Sequence, residues 1–101
     1  MAGATIVVVG RFRSGYRDVF DAYSKRARAF LDKKGGVVIR RQVIERTLYG
    51  LQSADLVMMI DFANIEVAAS AFFEQEYLDI VPLRDRVFSE FQMHLALPDQ
   101  V

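Results

Sequence analysis

The stretch Asp55-Leu56-Val57-Met58-Met59-Ile60-Asp61-Phe62 decides the fold, because five consecutive apolar residues stand between two carboxylates. A run of this length predicts a strand that has apolar side chains on both faces. Thr5-Ile6-Val7-Val8-Val9-Gly10 is also short and β-branched, and it predicts a second strand of the same kind. Neither run alternates between apolar and polar residues, as a strand with one face in water should.

Two amphipathic helices are predicted from residues that recur at helical spacing. The first is expected to have Ser14 as its N-cap and to end at Gly35-Gly36. Its apolar stripe comprises Val19, Phe20, Tyr23, Ala27, Phe30 and Leu31. The second is expected to be capped by Asn64. Its stripe comprises Ile65, Ala68, Ala69, Phe72 and Phe73, and Pro82 suits the first turn of a further short helix.

Two more strands complete the pattern. Val37 to Leu48 is longer and more polar, as expected of an edge strand, and Phe88 to Leu97 alternates between polar and apolar residues. The order βαββαβ predicts one α+β domain over residues 1–101, with a four-stranded antiparallel sheet and two helices on one face. Right-handed crossovers place the first and third strands in the centre and the second and fourth at the edges.

The sheet has a second face to cover, because two helices shield only one. The central strands would leave several large apolar side chains in water there, at about 1.5–3 kcal/mol each. An exposed apolar patch of this kind usually marks an interface. We therefore expect a homodimer in which two sheets pack face to face; the alternative is a monomer whose open face is partly masked by the C-terminal segment.

Composition excludes several classes of function. The chain of 101 residues has no Cys and a single His, so disulfides, thiolate chemistry and a multi-His metal site are not expected, and no cofactor is predicted. No apolar run is long enough to span a bilayer, and Met1-Ala2-Gly3-Ala4 lacks the basic region of a signal peptide. The cytoplasm is the expected compartment. Thirteen basic residues balance thirteen acidic ones, and the third strand lacks the alternating aromatics of an RNA-recognition sheet, so no nucleic-acid partner is expected.

Two titratable residues are candidates for catalysis. His94 shares one side of the fourth strand with Gln92, which should point between protomers, and an imidazole there could act as a general base. Alternatively it is a hydrogen-bonded or solvated rim histidine. Asp61 shares a side with Met59, so it should be partly buried and should need a cation. Arg11 and Arg41 are the candidate cations, either in an anion-binding pocket or in a structural ion pair.

Three further residues are candidates for ligand binding. Tyr77 and Tyr23 carry hydroxyls that need partners when buried, although aromatics at their spacing are more often core. Arg84 is the third; its alternative role is to tie the short helix to an acidic neighbour such as Asp79 or Asp85.

The chain resembles the DUF1330 family, a domain of unknown function within the dimeric α+β barrel superfamily. The resemblance covers nearly the whole chain. It rests on the segments Phe20-x-x-Tyr23, Leu31 before Gly35-Gly36, Arg41, Leu48-x-Gly50, Asp61-Phe62, Ala68-Ala69, Phe72-Phe73, Glu76-Tyr77 and Pro82-Leu83-Arg84. The family often has Trp and Pro after the position of Gly50, where this chain has Leu51-Gln52-Ser53-Ala54.

The resemblance implies a ferredoxin-like protomer and a barrel-like dimer, but no settled activity. Arg41 and Arg84 match family positions. The first hypothesis is a homodimer with a modest pocket near the inter-sheet face or at the helix–sheet edge. It binds a small polar or anionic molecule there, or performs cofactor-free acid/base chemistry with His94, Asp61 and Arg41. The second is a non-catalytic dimer or assembly module without a ligand.

Overall fold

The computed structural model describes residues 3–99 and confirms the α+β architecture. Its elements are β1 (Ala4–Phe12), α1 (Arg17–Lys34), β2 (Val37–Val43), β3 (Leu56–Phe62), α2 (Ile65–Ala71), α3 (Gln75–Leu78), α4 (Val81–Val87) and β4 (Phe88–Ala96). The four strands form one antiparallel sheet in the order β2-β3-β1-β4, so β1 and β3 are central, as predicted.

The register of the sheet sorts side chains onto two faces. Ile6 lies opposite Ile60 on β3 and Leu95 on β4, whereas Val7 lies opposite Met59 and His94. From Ala4 to Gly10, the residues of β1 on the same side as Ile6 are buried, and those on the same side as Val7 are half-buried. The buried side faces the helices. We call the other side, which bears Val7, Val9, Val57 and Met59, the open face.

The hydrophobic core lies between the helices and one side of the sheet. Its largest fully buried side chains are Phe30, Phe62, Ile60, Val8 and Val87. Phe30 comes from α1 and Val87 from α4, so both helices contribute to one layer above the strands. Within the described part of the chain, no helix combines the length and apolar character that crossing a bilayer requires.

The helix ends match the sequence prediction at two of three positions. Asn64 Oδ1 accepts hydrogen bonds from the backbone N–H groups of Glu66 and Val67, at 2.7 and 3.2 Å, and so caps α2. Gly35 ends α1 with φ of 79°, a left-handed conformation that glycine adopts without a steric cost. The predicted N-cap Ser14 is wrong: α1 begins at Arg17, and its cap position, Tyr16, makes no side-chain capping bond.

The second strand is shorter than predicted, because β2 ends at Val43 rather than Leu48. Val43 is in register with Leu56, the first residue of β3, so residues beyond this point have little strand left to pair with. Ile44 still donates its N–H to the carbonyl of Asp55 at 2.8 Å. Residues 45–54 then leave the sheet as an arm, in which Leu48, Tyr49 and Leu51 are almost fully exposed.

Candidate functional site

A cleft of about 520 Å³ lies between α1 and the helix side of β1, β2 and β3. We call it the α1–sheet cleft. Most of its lining is apolar, and its aliphatic members include Val8, Ala27, Leu31, Val38, Leu56 and Met58. The cleft exists because α1 covers the central strands but does not extend over β2. Val38 of β2 is therefore 44% exposed.

Four aromatic side chains add to the apolar wall of the cleft: Phe20, Tyr23, Phe88 and Phe91. Tyr23 is the polar member, and it is only 8% exposed. Its ring meets Phe88 edge-on, with ring centroids 5.8 Å apart. Burial raises the pKa of its hydroxyl well above the usual range, so the phenol stays protonated near neutral pH. The cleft wall is therefore uncharged.

Charged residues occur only at the rim of the cleft, where Arg28, Asp32 and Arg41 line it and are exposed. The Arg41 guanidinium carbon lies 5.8 Å from the centroid of the Phe20 ring. Neither Arg28 nor Arg41 has a carboxylate within 4.0 Å among residues 3–99. The mouth of an apolar cleft thus carries two arginines that no neighbouring acid neutralises at short range.

A cluster of three polar side chains, Arg84, Tyr77 and Asp85, lies next to the cleft, and Arg84 contacts the Phe91 ring of the cleft wall. Arg84 donates from Nη1 to the Tyr77 hydroxyl at 3.2 Å, and its Nη2 contacts Asp85 Oδ1 at 3.2 Å, so the expected tie to an acidic neighbour is formed. The guanidinium carbon also lies 4.8 Å from the centroid of the Phe91 ring. Burial raises the pKa of Tyr77, opposed by the hydrogen bond and charge of Arg84. Tyr23 is connected to this pair through the rings of Phe88 and Phe91. Of the predicted ligand-binding residues, Tyr77 and Arg84 are therefore in direct contact, and Tyr23 lies nearby.

His94 and Asp61 lie on the open face, outside the α1–sheet cleft. His94 is exposed, and its Nε2 lies 3.2 Å from Gln92 Oε1. Asp61 Oδ1 accepts a hydrogen bond from Thr5 Oγ1 at 2.7 Å. Thr5 and Asp61 are paired across β1 and β3, whereas His94 pairs with Val7 on the other side of β1. Each residue therefore has a local hydrogen-bond partner, and the two do not contact each other.

The expected ion pair between Asp61 and an arginine is wrong. Arg11 instead pairs with Glu90 on β4, at 3.6 Å, and donates to Ser53 Oγ. Arg41 is on the other side of the sheet, because a register shift between Val38 and Arg40 inserts one extra residue into β2. Such a bulge changes the face of every later side chain, and it places Arg41 opposite Met58 on the helix side.

The candidate residues therefore divide between two places. Arg41 and Tyr23 line the cleft, with Tyr77 and Arg84 next to it, while His94, Asp61 and Arg11 are on the open face. The trio of His94, Asp61 and Arg41 is not gathered in one place. Of the two positions expected for a pocket, the cleft occupies the helix–sheet edge and not the inter-sheet face. Within residues 3–99, no group of three potential metal ligands is assembled.

Sequence reasoning missed most of the cleft lining. The helical spacing assigns Phe20, Ala27 and Leu31 to the apolar stripe of the first helix. Such a stripe shows which side of a helix faces the sheet, but it does not show where a gap separates the two. No local signal marks the rest of the lining, because the cleft depends on how closely α1 approaches β2 in the folded chain.

The family model described as Domain of unknown function (DUF1330) matches residues 5–96, so the chain belongs to that family. This confirms the resemblance that the sequence motifs indicate. No curated protein matches the chain.

Several solved structures share the fold. RPA0582, a protein of unknown function from Rhodopseudomonas palustris, gives a TM-score of 0.75 at 14% identity, over 100% of this chain and 86% of that one. An uncharacterized NIPSNAP domain protein from Burkholderia xenovorans gives 0.64 at 9% identity, over 96% and 95%. A dimeric protein of unknown function and ferredoxin-like fold from Bacteroides fragilis gives 0.62 at 9% identity, over 94% and 95%. At such identities the likeness concerns the fold alone, and that fold is ferredoxin-like.

Proposed function

We propose that this protein binds a small, largely apolar molecule in the α1–sheet cleft, and that it does so as a homodimer. The observation that carries the binding proposal is the cleft itself, at about 520 Å³ with a mainly apolar lining. Clefts that bind small molecules commonly have volumes of about 300–1,000 Å³ and a few polar groups among apolar ones. Tyr23 in the wall and Arg41 at the rim are such polar groups.

A ligand would also account for the incomplete closure of α1 over β2. Apolar side chains that line an open cleft lose the favourable free energy of full burial. Val38 and Met58 lie on the helix side of the sheet, yet both side chains remain partly exposed. A molecule in the cleft would cover both and would replace the missing packing.

The test is binding of phenylnaphthylamine, a neutral apolar dye that fluoresces when it leaves water. Wild-type protein is expected to bind it. Ala27→Phe fills the cleft and should weaken binding by about tenfold or more, since an added ring competes with the dye for the same space. Ala29→Phe is the matched control, because Ala29 lies on the same helix but is exposed and does not line the cleft. Equal affinity in all three proteins would contradict the proposal.

The homodimer is supported by the open face. Val7, Val9 and Val57 are half-buried in the single chain, and Met59 is 37% exposed. Contiguous apolar surface of this kind on a soluble domain usually marks a protein interface. The structurally similar protein from Bacteroides fragilis is described as dimeric. Light scattering at micromolar concentration should report twice the chain mass of 11.5 kDa, whereas a particle of the single mass would contradict a dimer.

A second candidate is a dimer or assembly module that binds no ligand. It is favoured by the hydrogen bonds of His94 and Asp61, which pair with Gln92 and Thr5 as structural residues do. For the same reason, acid/base chemistry by His94, Asp61 and Arg41 is not part of the main proposal. A wild-type dimer that binds no dye would favour this second candidate.

A further inference from the structure

We infer that the ligand of the α1–sheet cleft is an amphipathic anion, whose apolar body fills the cleft and whose negative group pairs with Arg41 at the rim. This inference rests on the proposed function, and it specifies the chemical class of the ligand.

The charge at the mouth of the cleft favours an anion. Three ionised residues line the rim, and two of them, Arg28 and Arg41, are positive while Asp32 is negative. Neither arginine has an acidic partner within 4.0 Å in the described chain, and Asp32 likewise forms no ion pair with the adjacent Arg28. The rim therefore carries a net positive charge that a carboxylate or sulfonate can balance.

The position of Arg41 makes it the stronger of the two cations. The β2 bulge turns its side chain to the cleft side, and its guanidinium lies 5.8 Å from the centroid of the Phe20 ring. An arginine over an aromatic face is restricted in its motion, which leaves the donor groups at its edge for a bidentate contact. Phe20 also lines the cleft, so an anion at Arg41 would lie beside the apolar wall.

The rest of the lining favours an apolar body on the same molecule. Below the rim the wall is formed by aliphatic and aromatic residues, and its Tyr23 is kept neutral by burial. A small inorganic anion would leave this surface unfilled, and a neutral apolar molecule would leave the arginines unpaired. A molecule with one negative group and an apolar body satisfies both parts of the cleft.

The experiment compares two dyes of matched shape. Anilinonaphthalene sulfonate has the ring system of phenylnaphthylamine with one added sulfonate. Wild-type protein is expected to bind the anionic dye about tenfold more tightly than the neutral dye, and the preference should decrease as salt is added. Arg41→Gln should remove most of this preference, measured as the ratio of the two affinities within the same variant so that any change common to both dyes cancels. Arg28→Gln should reduce it less.

The controls locate the effect in the cleft. Arg26→Gln removes a charge from an exposed position of α1 that does not line the cleft, and it should keep the full preference. Ala27→Phe should weaken the binding of both dyes. An equal preference in wild type, Arg41→Gln and Arg26→Gln would overturn the inference but leave the binding proposal intact. Failure of both dyes to bind wild-type protein would instead overturn the proposed function itself.

Discussion

Two buried phenols, Tyr23 and Tyr77, are the most perturbed acids near the cleft. Tyr77 is 4% exposed and accepts a hydrogen bond from Arg84, and Tyr23 is 8% exposed. Removing either hydroxyl proton would place a negative charge in a mainly apolar layer. Arg84 lowers this cost, but burial outweighs it, so the folded state holds both protons more tightly than the unfolded chain does.

This difference predicts a loss of stability in alkali. Unfolded tyrosine releases its proton near its ordinary pKa of 10.0, while both folded-state pKa values are raised. Stability from this source is therefore complete below about pH 10 and falls as the pH rises further, by up to about 1.4 kcal/mol per pH unit for each tyrosine. Urea unfolding at fixed protein concentration, at pH values on either side of 10, measures the slope. Tyr23→Phe and Tyr77→Phe should each flatten it, and an unchanged slope in both variants would refute the explanation.

At the scale of the element, Asn64 and Ser14 carry the same sequence signal for a helix N-cap but have different roles in the structure. Asn64 and Ser14 both precede apolar periodic runs and were both predicted to cap helices. Asn64 caps α2 through its side-chain oxygen, but Ser14 lies three residues before α1 begins. Local chemistry identifies a possible cap, whereas the point at which the chain leaves β1 decides whether the cap is used.

The two positions form a matched test of capping. Asn64→Ala should lower the free energy of unfolding by about 1 kcal/mol, because two backbone N–H groups at the start of α2 lose their acceptor. Ser14→Ala should change it by much less. Chemical denaturation of both variants beside wild type is the measurement, and equal losses would show that Ser14 also stabilises a helix end.

The bulge in β2 shows where sequence reasoning reaches its limit. Continued regularly from the pair of Val37 and Asp61, β2 would place Arg41 on the open face, where the predicted pair of Asp61 and Arg41 requires it. One extra residue between Val38 and Arg40 reverses this and moves Arg41 to the cleft. Because β-branched and charged residues fit both regular and bulged edges, nothing local in Val38-Ile39-Arg40 marks the extra residue.

At the scale of the whole molecule, the chain forms a thin plate of 36 × 34 × 18 Å. Strand order and the apolar character of both faces of β1 and β3 could be predicted, because they follow from continuous apolar runs and crossover handedness. The helix–sheet edge is one of the two positions that the sequence indicates for a pocket. The width of the cleft could not be predicted, since it depends on how closely α1 approaches β2 in the folded chain. The open face follows from the same layer argument, because the helices cover only one side of the plate.

The open face leads to the last prediction, which concerns assembly. Met59 lies near the middle of this face, opposite Val7 on β1. Met59→Glu would place a carboxylate from each copy in a twofold interface, and although Arg40 lies directly opposite Met59 on β2, burying the charge there costs more desolvation free energy than the pairing returns. The dimer dissociation constant should rise at least about 100-fold, equivalent to about 2.8 kcal/mol. Sedimentation velocity over a concentration series measures it.

The matched control introduces the same charge on the opposite layer of the plate. Phe73 follows α2 and is 80% exposed on the helix side, so Phe73→Glu should leave the dimer intact. Both variants replace an exposed apolar side chain with glutamate, and therefore a general effect of charge on solubility or association would appear in both. Dissociation of the Met59 variant alone would place the interface on the open face. Dissociation of the Phe73 variant alone would move it to the helix layer, and the proposed arrangement of the two sheets would then be wrong.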